Sequence, residues 1–389
     1  MKITAVTPHI MWGGDAGGFQ FSSTLWGRGA GRNWLFVKVE TDAGVHGWGE
    51  ASLVNQTPAI AASVELLGRQ IMGQDPAAIE RLWQIMYLHN RYRGGVVISS
   101  ALSAIDQALW DIKGKVLDAP VYQLLGGAVR ESIRVYAGAG DPEQARERIA
   151  EGFAGVKAGG GWHGPDHAVD DRRAPETLRR ELLAIREALP PDAELMVDNH
   201  GHSRPPDAIR QIRAVDDLGL LFFEEPVPPD NPDELALLRA AGLSTPLAAG
   251  ERLHSRWAFR DLVIRQLVDV IQPDICHCGG ISELRRIAAL AEIYGITVAP
   301  HNPKGPVSTA ASLHVCATIP NFLILEHAHA NPLYDAVQAE PMRIGESGYA
   351  LPAGPGLGVD LDEEVIAAHP YRHRPVLQAY EADGTPSHP

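Results

Sequence analysis

The sequence predicts an α/β fold, a closed barrel of parallel strands with helices outside, preceded by a separate α+β unit. Three observations lead there. Asp198, Glu224, Glu251, Asp274, His301 and Glu326 stand 26, 27, 23, 27 and 25 residues apart, and each closes a short apolar run. The segments between those runs carry leucines, alanines and charges at helical period, and a strand, a helix and two loops take about 25 residues, so the rhythm is that of successive βα units. Residues 1–125 lack this rhythm altogether. Alternating strands and helices give a parallel sheet covered by helices, and a closed barrel of them delivers the last side chains of every strand to one mouth. Residues far apart in sequence then become neighbours.

Taken in order, Lys2–Pro8 reads as an opening strand. Trp12 to Arg32 follows, where Gly13, Gly14, Gly17, Gly18, Gly27, Gly29 and Gly31 interleave with Trp12, Phe19, Phe21 and Trp26. So many glycines deny it regular structure, leaving a surface loop or a lid over the mouth. No helical pattern opens behind a G-x-G-x-x-G, so it is not a phosphate-binding fingerprint. Trp34–Glu40 and Val45–Glu50 alternate around Thr41-Asp42-Ala43-Gly44, a hairpin pattern. Helical patterns near Pro58–Gln70, Pro76–Asn90 and Val96–Lys115 complete the α+β unit, placed at 1–125.

The barrel is placed at 126–330. Ser132–Gly138 and Phe153–Ala158 read as its first two strands, the second carrying Lys157 near its end. Gly159 to Arg173, with His163, Asp166, His167, Asp170 and Asp171, reads as a loop overhanging the mouth. Pro175–Leu189 is a helical pattern leading into the Asp198 strand, and five further units follow. Residues 331–389 have no barrel unit left to build. With the turn-rich Gly354-Pro355-Gly356-Leu357-Gly358 and a short helix over Asp362–Ala368, they are expected to pack back on the first unit.

Composition excludes several functions. A balance of 34 basic against 48 acidic residues leaves a net charge of −14, unsuited to nucleic acid or an anionic membrane. The Met1–Val6 start lacks the apolar core of a signal peptide, and no run approaches the ~20 apolar residues of a membrane span, so a cytoplasmic protein is expected. Cys276, Cys278 and Cys316 are an odd number in a long chain, which favours packed, reduced thiols. Cys276-His277-Cys278 has no second Cys/His pair at zinc spacing.

The chemistry gathers at the predicted mouth. Asp198, Glu224 and Glu251 end three consecutive strands, and three clustered anions need a cation. An all-oxygen ligand set favours a hard ion, hence Mg2+. Glu225 follows Glu224 and should turn to the other side of its strand, into a structural ion pair. His200 lies two residues beyond Asp198, so the pleat puts both on one face; it reads as a general acid or base rather than a fourth ligand. Asp274 and His301 end adjacent strands, which lets the carboxylate orient the imidazole and raise its basicity. Glu326 could hydrogen-bond substrate across the mouth. Lys157 reads either as a solvated strand cap or as a further site residue. His202, His254, His327 and His329 lack such partners in the pattern. A Mg2+ facing two histidines suits removal of the proton beside a carboxylate, with an acid opposite to expel a β-hydroxyl.

Five motifs carry a family resemblance: Asp198-x-His200, Phe223-Glu224-Glu225-Pro226, Ala249-Gly250-Glu251-Arg252, Gln272-Pro273-Asp274 and Ala299-Pro300-His301-Asn302-Pro303. They resemble the mandelate racemase subgroup of the enolase superfamily. Tyr92-Arg93-Gly94-Gly95, the run Ile105 to Lys115 and His301-Asn302-Pro303-Lys304-Gly305-Pro306 are similar, more closely, to the galactonate dehydratases and related sugar-acid dehydratases. The resemblance implies a modified TIM barrel of (β/α)7β type under an N-terminal α+β capping domain, bound Mg2+, and loss of water from an aldonic acid to give a 2-keto-3-deoxy acid. It implies Asp198, Glu224 and Glu251 as metal ligands, and His301 with Asp274 as the base at C2. It further implies His200 as the acid for the C3 hydroxyl, and Glu326 as the group that hydrogen-bonds the intermediate's carboxylate. A small-molecule sugar acid is then the partner, and a homo-oligomer the family-level expectation.

The sequence departs from those dehydratases at Gly159-Gly160-Gly161-Trp162-His163-Gly164, at His202 where they tend to have arginine, and in the Trp12–Arg32 loop. Mouth loops set substrate fit, so these differences bear on the particular sugar acid more than on the reaction. Position 159 is Gly, which removes the Lys-x-Lys pair of a two-base racemase. A racemase, epimerase or cycloisomerase on the same scaffold, or a sugar-acid binding protein without turnover, are the alternatives.

Overall fold

In the structure, a computed structural model, the described residues are 1–14, 32–159, 174–328, 331–373, 379–380 and 383–387. Most of the Trp12–Arg32 and Gly159–Arg173 stretches, with His163, His167 and also His329, therefore lies outside the described residues.

The chain begins with β1 (Ile3–Trp12), β2 (Asn33–Thr41) and β3 (His46–Glu50), an antiparallel meander in the order β1-β2-β3. Glu40 pairs with His46 across the expected hairpin. Helices α1 (Thr57–Ile71), α2 (Ile79–Leu88) and α3 (Val96–Val116) cover one face, and Leu35, Val37, Val39, Ile60, Val64, Leu67, Leu82 and Ile105 form a core between them. Alternation on β2 is the cause: odd residues face these helices, while Trp34 and Phe36 face the barrel's core.

After α4 (Val121–Leu124) the barrel opens with a correction. The expected strand Ser132–Gly138 is two, β4 (Ser132–Ile133) and β5 (Val135–Gly138), because the first two residues pair antiparallel with a later hairpin instead of entering the barrel. The units continue as α5 (Pro142–Ala150), β6 (Gly155–Ala158), α6 (Ala174–Ala188), β7 (Glu194–Asp198), α7 (Pro205–Val215), β8 (Phe222–Glu224), α8 (Pro232–Ala240) and β9 (Leu247–Ala249). Then come α9 (Ser255–Ile264), β10 (Val270–Ile271), α10 (Gly280–Ile293), β11 (Thr297–Val298), α11 (Pro306–Thr318) and β12 (Leu325–Glu326). Pro at the first turn and an Asp or Asn cap start several of these helices: Asp141 accepts from the backbone N of Glu143 and Gln144, and Asn231 from Asp233. Eight parallel strands run in the order β11-β10-β9-β8-β7-β6-β5-β12. A parallel bridge between Val298 and Phe322 joins the two ends.

The pleat decides what faces the barrel axis. Tyr136, Met196, Phe222, Ala248, Val270, Ala299 and Ile324 form the inner core. Two residues beyond Met196, Phe222, Ala299 and Ile324 stand Asp198, Glu224, His301 and Glu326, and four beyond Val270 stands Asp274, so the same parity carries them inward at the mouth. Glu251 is out of parity with Ala248; Gly250, with φ at 134°, supplies the turn that readmits it.

Beyond the barrel, α12 (Pro332–Ala336), β13 (Ile344–Gly345), β14 (Gly348–Ala350) and α13 (Glu363–Ala368) follow. The small sheet β13-β14-β4 ties this segment to the barrel, while Leu357 N donates to the buried Asp111 at 2.8 Å and Trp12 N to the His369 carbonyl at 2.7 Å, tying it to the first unit. Cys276, Cys278 and Cys316 are buried and unbridged, as packed thiols should be. Among the described residues no helix is long and apolar enough to cross a membrane.

One buried group makes the fold acid-sensitive. His314 lies fully buried in α11, its Nδ1 accepting from Tyr122 N at 3.0 Å, and burial pushes its pKa down to about 4. Its folded pKa is thus below the unfolded value. Above the unfolded pKa both states are neutral; as pH falls from about 6.5 to 4 the unfolded chain gains a proton that the folded chain refuses, and about 3 kcal/mol of stability is lost. His314→Asn keeps an acceptor at the Nδ1 position for Tyr122 N and does not titrate. Its melting temperature should fall less steeply with pH over that window; an unchanged slope would reject His314 as the cause.

Candidate active site

All eight residues singled out from the sequence meet at the barrel mouth. Asp198, Glu224 and Glu251 each offer an oxygen, and the three oxygens lie within 4.8 Å of one another. Lys157, expected to be either cap or site, is buried among them: its Nζ is 3.0 Å from Asp198 Oδ2, 2.9 Å from Glu224 Oε2 and 3.0 Å from Glu326 Oε1. The solvated-cap alternative is therefore wrong, since the buried ammonium of β6 reaches across the barrel mouth to carboxylates of β7, β8 and β12. Burial opposes its charge, but Asp198, Glu224 and Glu326 outweigh it and raise its pKa well above the usual lysine value.

One lysine does not balance this many anions. Burial first, then Asp198, push the Glu224 carboxyl well above the usual range, and Glu224 Oε1 is buried with no hydrogen-bond partner among the described residues. An all-oxygen donor set with an unsatisfied buried carboxylate oxygen fits a hard divalent ion. Asp198, Glu224 and Glu251 are the residues that would hold it.

His301 sits among three carboxylates. Its Nδ1 is 2.8 Å from Asp274 Oδ2, and its Nε2 is 3.3 Å from Glu251 Oε2 and 3.9 Å from Glu326 Oε2. Burial lowers the imidazole's pKa, but Glu251, Glu326 and Asp274 outweigh it, and the net shift is upward. Asp274 is itself fully buried. Burial would raise its pKa, yet His277, Lys304 and His301 hold it well below the carboxylate range, so it stays an anion able to orient the ring.

His200 reaches the site by a different route from the one its spacing suggested. β7 stops at Asp198, and it is the left-handed backbone at His200 and Gly201, with φ at 50° and 68°, that turns the ring back. Nε2 comes within 3.4 Å of Asp198 Oδ2, and the His200 backbone N donates to Asp198 Oδ1 at 3.0 Å. Asn199 is turned away, donating to the Pro226 carbonyl at 3.0 Å. Glu225 is buried and paired with Arg252 at 3.0 Å, the structural ion pair expected of it.

Three contributors carry no assignment from the sequence although they lie inside its motifs. Arg252 Nη2 donates to the His200 carbonyl at 2.9 Å while Nε lies 3.5 Å from Glu251, so one guanidinium ties His200 to the carboxylate trio. Asn302 donates from its backbone N to Glu326 Oε2 at 3.1 Å and from Nδ2 to the Glu326 carbonyl at 3.0 Å. Lys304 Nζ stands 3.4 Å from Asp274 Oδ2. Their only sequence signal was adjacency to the acids and to His301. Of the remaining histidines, His202 lies beside His200 with ring centroids 6.1 Å apart, and His327 packs against Phe153, Tyr334 and Tyr349.

Comparison with known proteins places this geometry in a family. Residues 28–126 match the model of the mandelate racemase / muconate lactonizing enzyme N-terminal domain, and residues 141–365 that of the enolase C-terminal domain-like family. The chain is 41% identical over 356 residues to a D-galactonate dehydratase of Variovorax paradoxus, covering 88% of this chain and 92% of that one. It is 40% identical over 351 residues to a D-galactonate dehydratase of Cronobacter sakazakii, covering 86% and 90%. Among solved structures, an enolase from Pantoea ananatis with bound D-gluconate and Mg superposes with a TM-score of 0.88 at 28% identity, covering 100% of this chain and 99% of that one. An enolase from Agrobacterium radiobacter bound to Na and L-malate gives 0.88 at 32% identity over 100% of both chains. With both domain models matched and relatives of this identity along most of its length, the chain belongs to the mandelate racemase / muconate lactonizing enzyme family of the enolase superfamily, and it is a hydro-lyase of the sugar-acid dehydratase kind.

Proposed function

We propose that this protein binds Mg2+ through Asp198, Glu224 and Glu251 and dehydrates an aldonic acid such as galactonate to its 2-keto-3-deoxy acid. The observation that carries the reading is the His301 ring, fixed by Asp274 on one nitrogen while the other faces the carboxylate trio at 3.3 Å. Bound there, the ion supplies positive charge beside the substrate carboxylate and makes the C2 proton more acidic. His301 takes that proton on Nε2. The electron pair of the C2–H bond is first held by the substrate carboxylate as an enediolate; it then forms the C2–C3 double bond as the C3–O bond breaks, and His200 protonates the departing hydroxyl, which leaves as water. The enol then tautomerises to the keto acid. Asp274 keeps the His301 imidazole oriented and basic, Arg252 and Asp198 hold His200, Glu326 hydrogen-bonds the intermediate's carboxylate, and Lys157 offsets the anionic charge around it.

The pairing with galactonate is supported by the relatives named D-galactonate dehydratase. Division of the chain at residue 125 is supported by the separate core of the first unit, and the boundary at 330 belongs to the same reading. A cytoplasmic homo-oligomer is part of the same reading. Incubating the protein with Mg2+ and a panel of aldonic acids, and assaying 2-keto acid, tests it: turnover of galactonate or a close epimer is expected, and no keto acid from any of the panel would reject it.

His200→Asn separates the two halves of the reaction. Keto-acid formation should fall by on the order of 10²- to 10⁴-fold, the usual worth of a general acid, while exchange of the C2 proton with solvent deuterium continues. Undiminished dehydration would remove His200 from the acid role.

A further inference from the structure

The two barrel helices that follow the Asp274 and His301 strands have no side-chain cap of their own. α10 starts after Gly279 and α11 after Gly305, and neither glycine can supply one. The first backbone N–H groups of a helix nevertheless need acceptors from elsewhere. Carboxylates of the first unit provide them. Asp106 of α3 accepts from Ser282 N at 3.0 Å and Ser282 Oγ at 2.6 Å. Glu50, the last residue of β3, accepts from Gly305 N at 2.7 Å and from Ser308 N at 2.9 Å, on different oxygens.

Glu50 is built in firmly. It is fully buried, Ser52 Oγ donates to it at 2.6 Å, and the Gln107 side chain brackets its backbone, accepting from its N at 3.0 Å and donating to its carbonyl at 3.1 Å. The same Gln107 donates to the Ile275 carbonyl at 3.2 Å, one residue past Asp274.

The segment that Glu50 grips is the one that carries His301. Ser308 Oγ donates to Asn302 Oδ1 at 2.7 Å, Asn302 N donates to Glu326, and Lys304 reaches Asp274. Residues 301–308 are thus held at the site end by Asp274 and Glu326 and at the far end by a carboxylate of the other unit. A methyl at Gly305 would meet both Glu50 oxygens at 2.8 Å, so the approach leaves no room for a side chain. We infer that Glu50 is a positioning residue: by capping α11 from the α+β unit it sets where His301 stands relative to Asp274 and the carboxylate trio. The inference rests on His301 being the base.

Glu50→Gln tests it, because the amide cannot accept from both Gly305 and Ser308. A loop displaced by a fraction of an ångström should lower kcat on the order of 10- to 100-fold, with KM changed by no more than about threefold, and C2 exchange should slow in the same proportion as dehydration. Asp111→Asn is the control. Asp111 is an equally buried carboxylate of the same unit that accepts from Trp48 N and Leu357 N, far along the chain from the 301–308 segment. It should lower the melting temperature and leave kcat unchanged. Gly305→Ala, at a backbone φ of −84° that alanine adopts freely, serves if Glu50→Gln does not fold, and should reproduce its loss. Wild-type kcat in Glu50→Gln or Gly305→Ala, or equal losses in Asp111→Asn, would overturn the inference. The imidazole Nδ1–H signal of His301 in histidine-labelled protein, assigned with His301→Asn, needs no turnover. It should move in Glu50→Gln and not in Asp111→Asn, so a wild type inactive on every aldonate would sink the proposed reaction while this readout still decides on Glu50.

Discussion

His301→Asn is expected to abolish keto-acid formation, by on the order of 10³-fold or more, and to abolish C2 proton exchange with it. The reason is local. Asparagine still offers Asp274 a donor and leaves Asp198, Glu224 and Glu251 untouched, so the chain should fold and titrate Mg2+ as the parent does. What it lacks is the second ring nitrogen that stands 3.3 Å from Glu251 Oε2. Measuring solvent deuterium incorporation at C2 beside product formation checks this directly. Persisting exchange would mean that another group is the base and that the Asp274–His301 pair is structural.

Stripping divalent ions with EDTA, or replacing Glu224 with glutamine, should remove activity to a similar extent. Stability separates the two treatments. Glu224 is fully buried, and burial together with Asp198 pushes its carboxyl up, so in the metal-free chain its charge is unfavourable. Glutamine relieves that while its carbonyl can still accept from Lys157, and metal-free Glu224→Gln should melt no lower than the metal-free parent. The parent should gain about 2.7 kcal/mol at a Mg2+ concentration one hundred times its Kd, a gain the variant loses. A variant that keeps both the Mg2+-dependent rise in melting temperature and turnover would show that Glu224 is not a ligand.

Much of this site was legible because a barrel converts spacing into proximity. Asp198, Glu224, Asp274, His301 and Glu326 share the inward parity of Met196, Phe222, Val270, Ala299 and Ile324, and a repeat near 25 residues is visible without coordinates. Where backbone leaves the pleat, the pattern misled. His200 is presented by two residues of positive φ, and Ser132–Ile133 was drawn off to pair with β14, neither of which local alternation encodes. Lys157 was ambiguous for a related reason: a lysine near a strand end looks the same whether water or three carboxylates surround it. Arg252, Lys304 and Glu50 were invisible as site components, because their partners lie on other units or other loops and no short-range period connects them.

The buried Asp111 has a consequence for how the chain is made. It sits in α3 and draws one of its donors from Trp48, but its other backbone donor is Leu357, 246 positions downstream. During synthesis the first unit emerges long before that donor exists, so Asp111 has Trp48 N and the Lys115 ammonium, 2.9 Å away, on one oxygen while the other waits, or holds a water in Leu357's place, until Leu357 has left the ribosome. Final locking of the α+β unit is then a late event, coupled to completion of the barrel rather than preceding it.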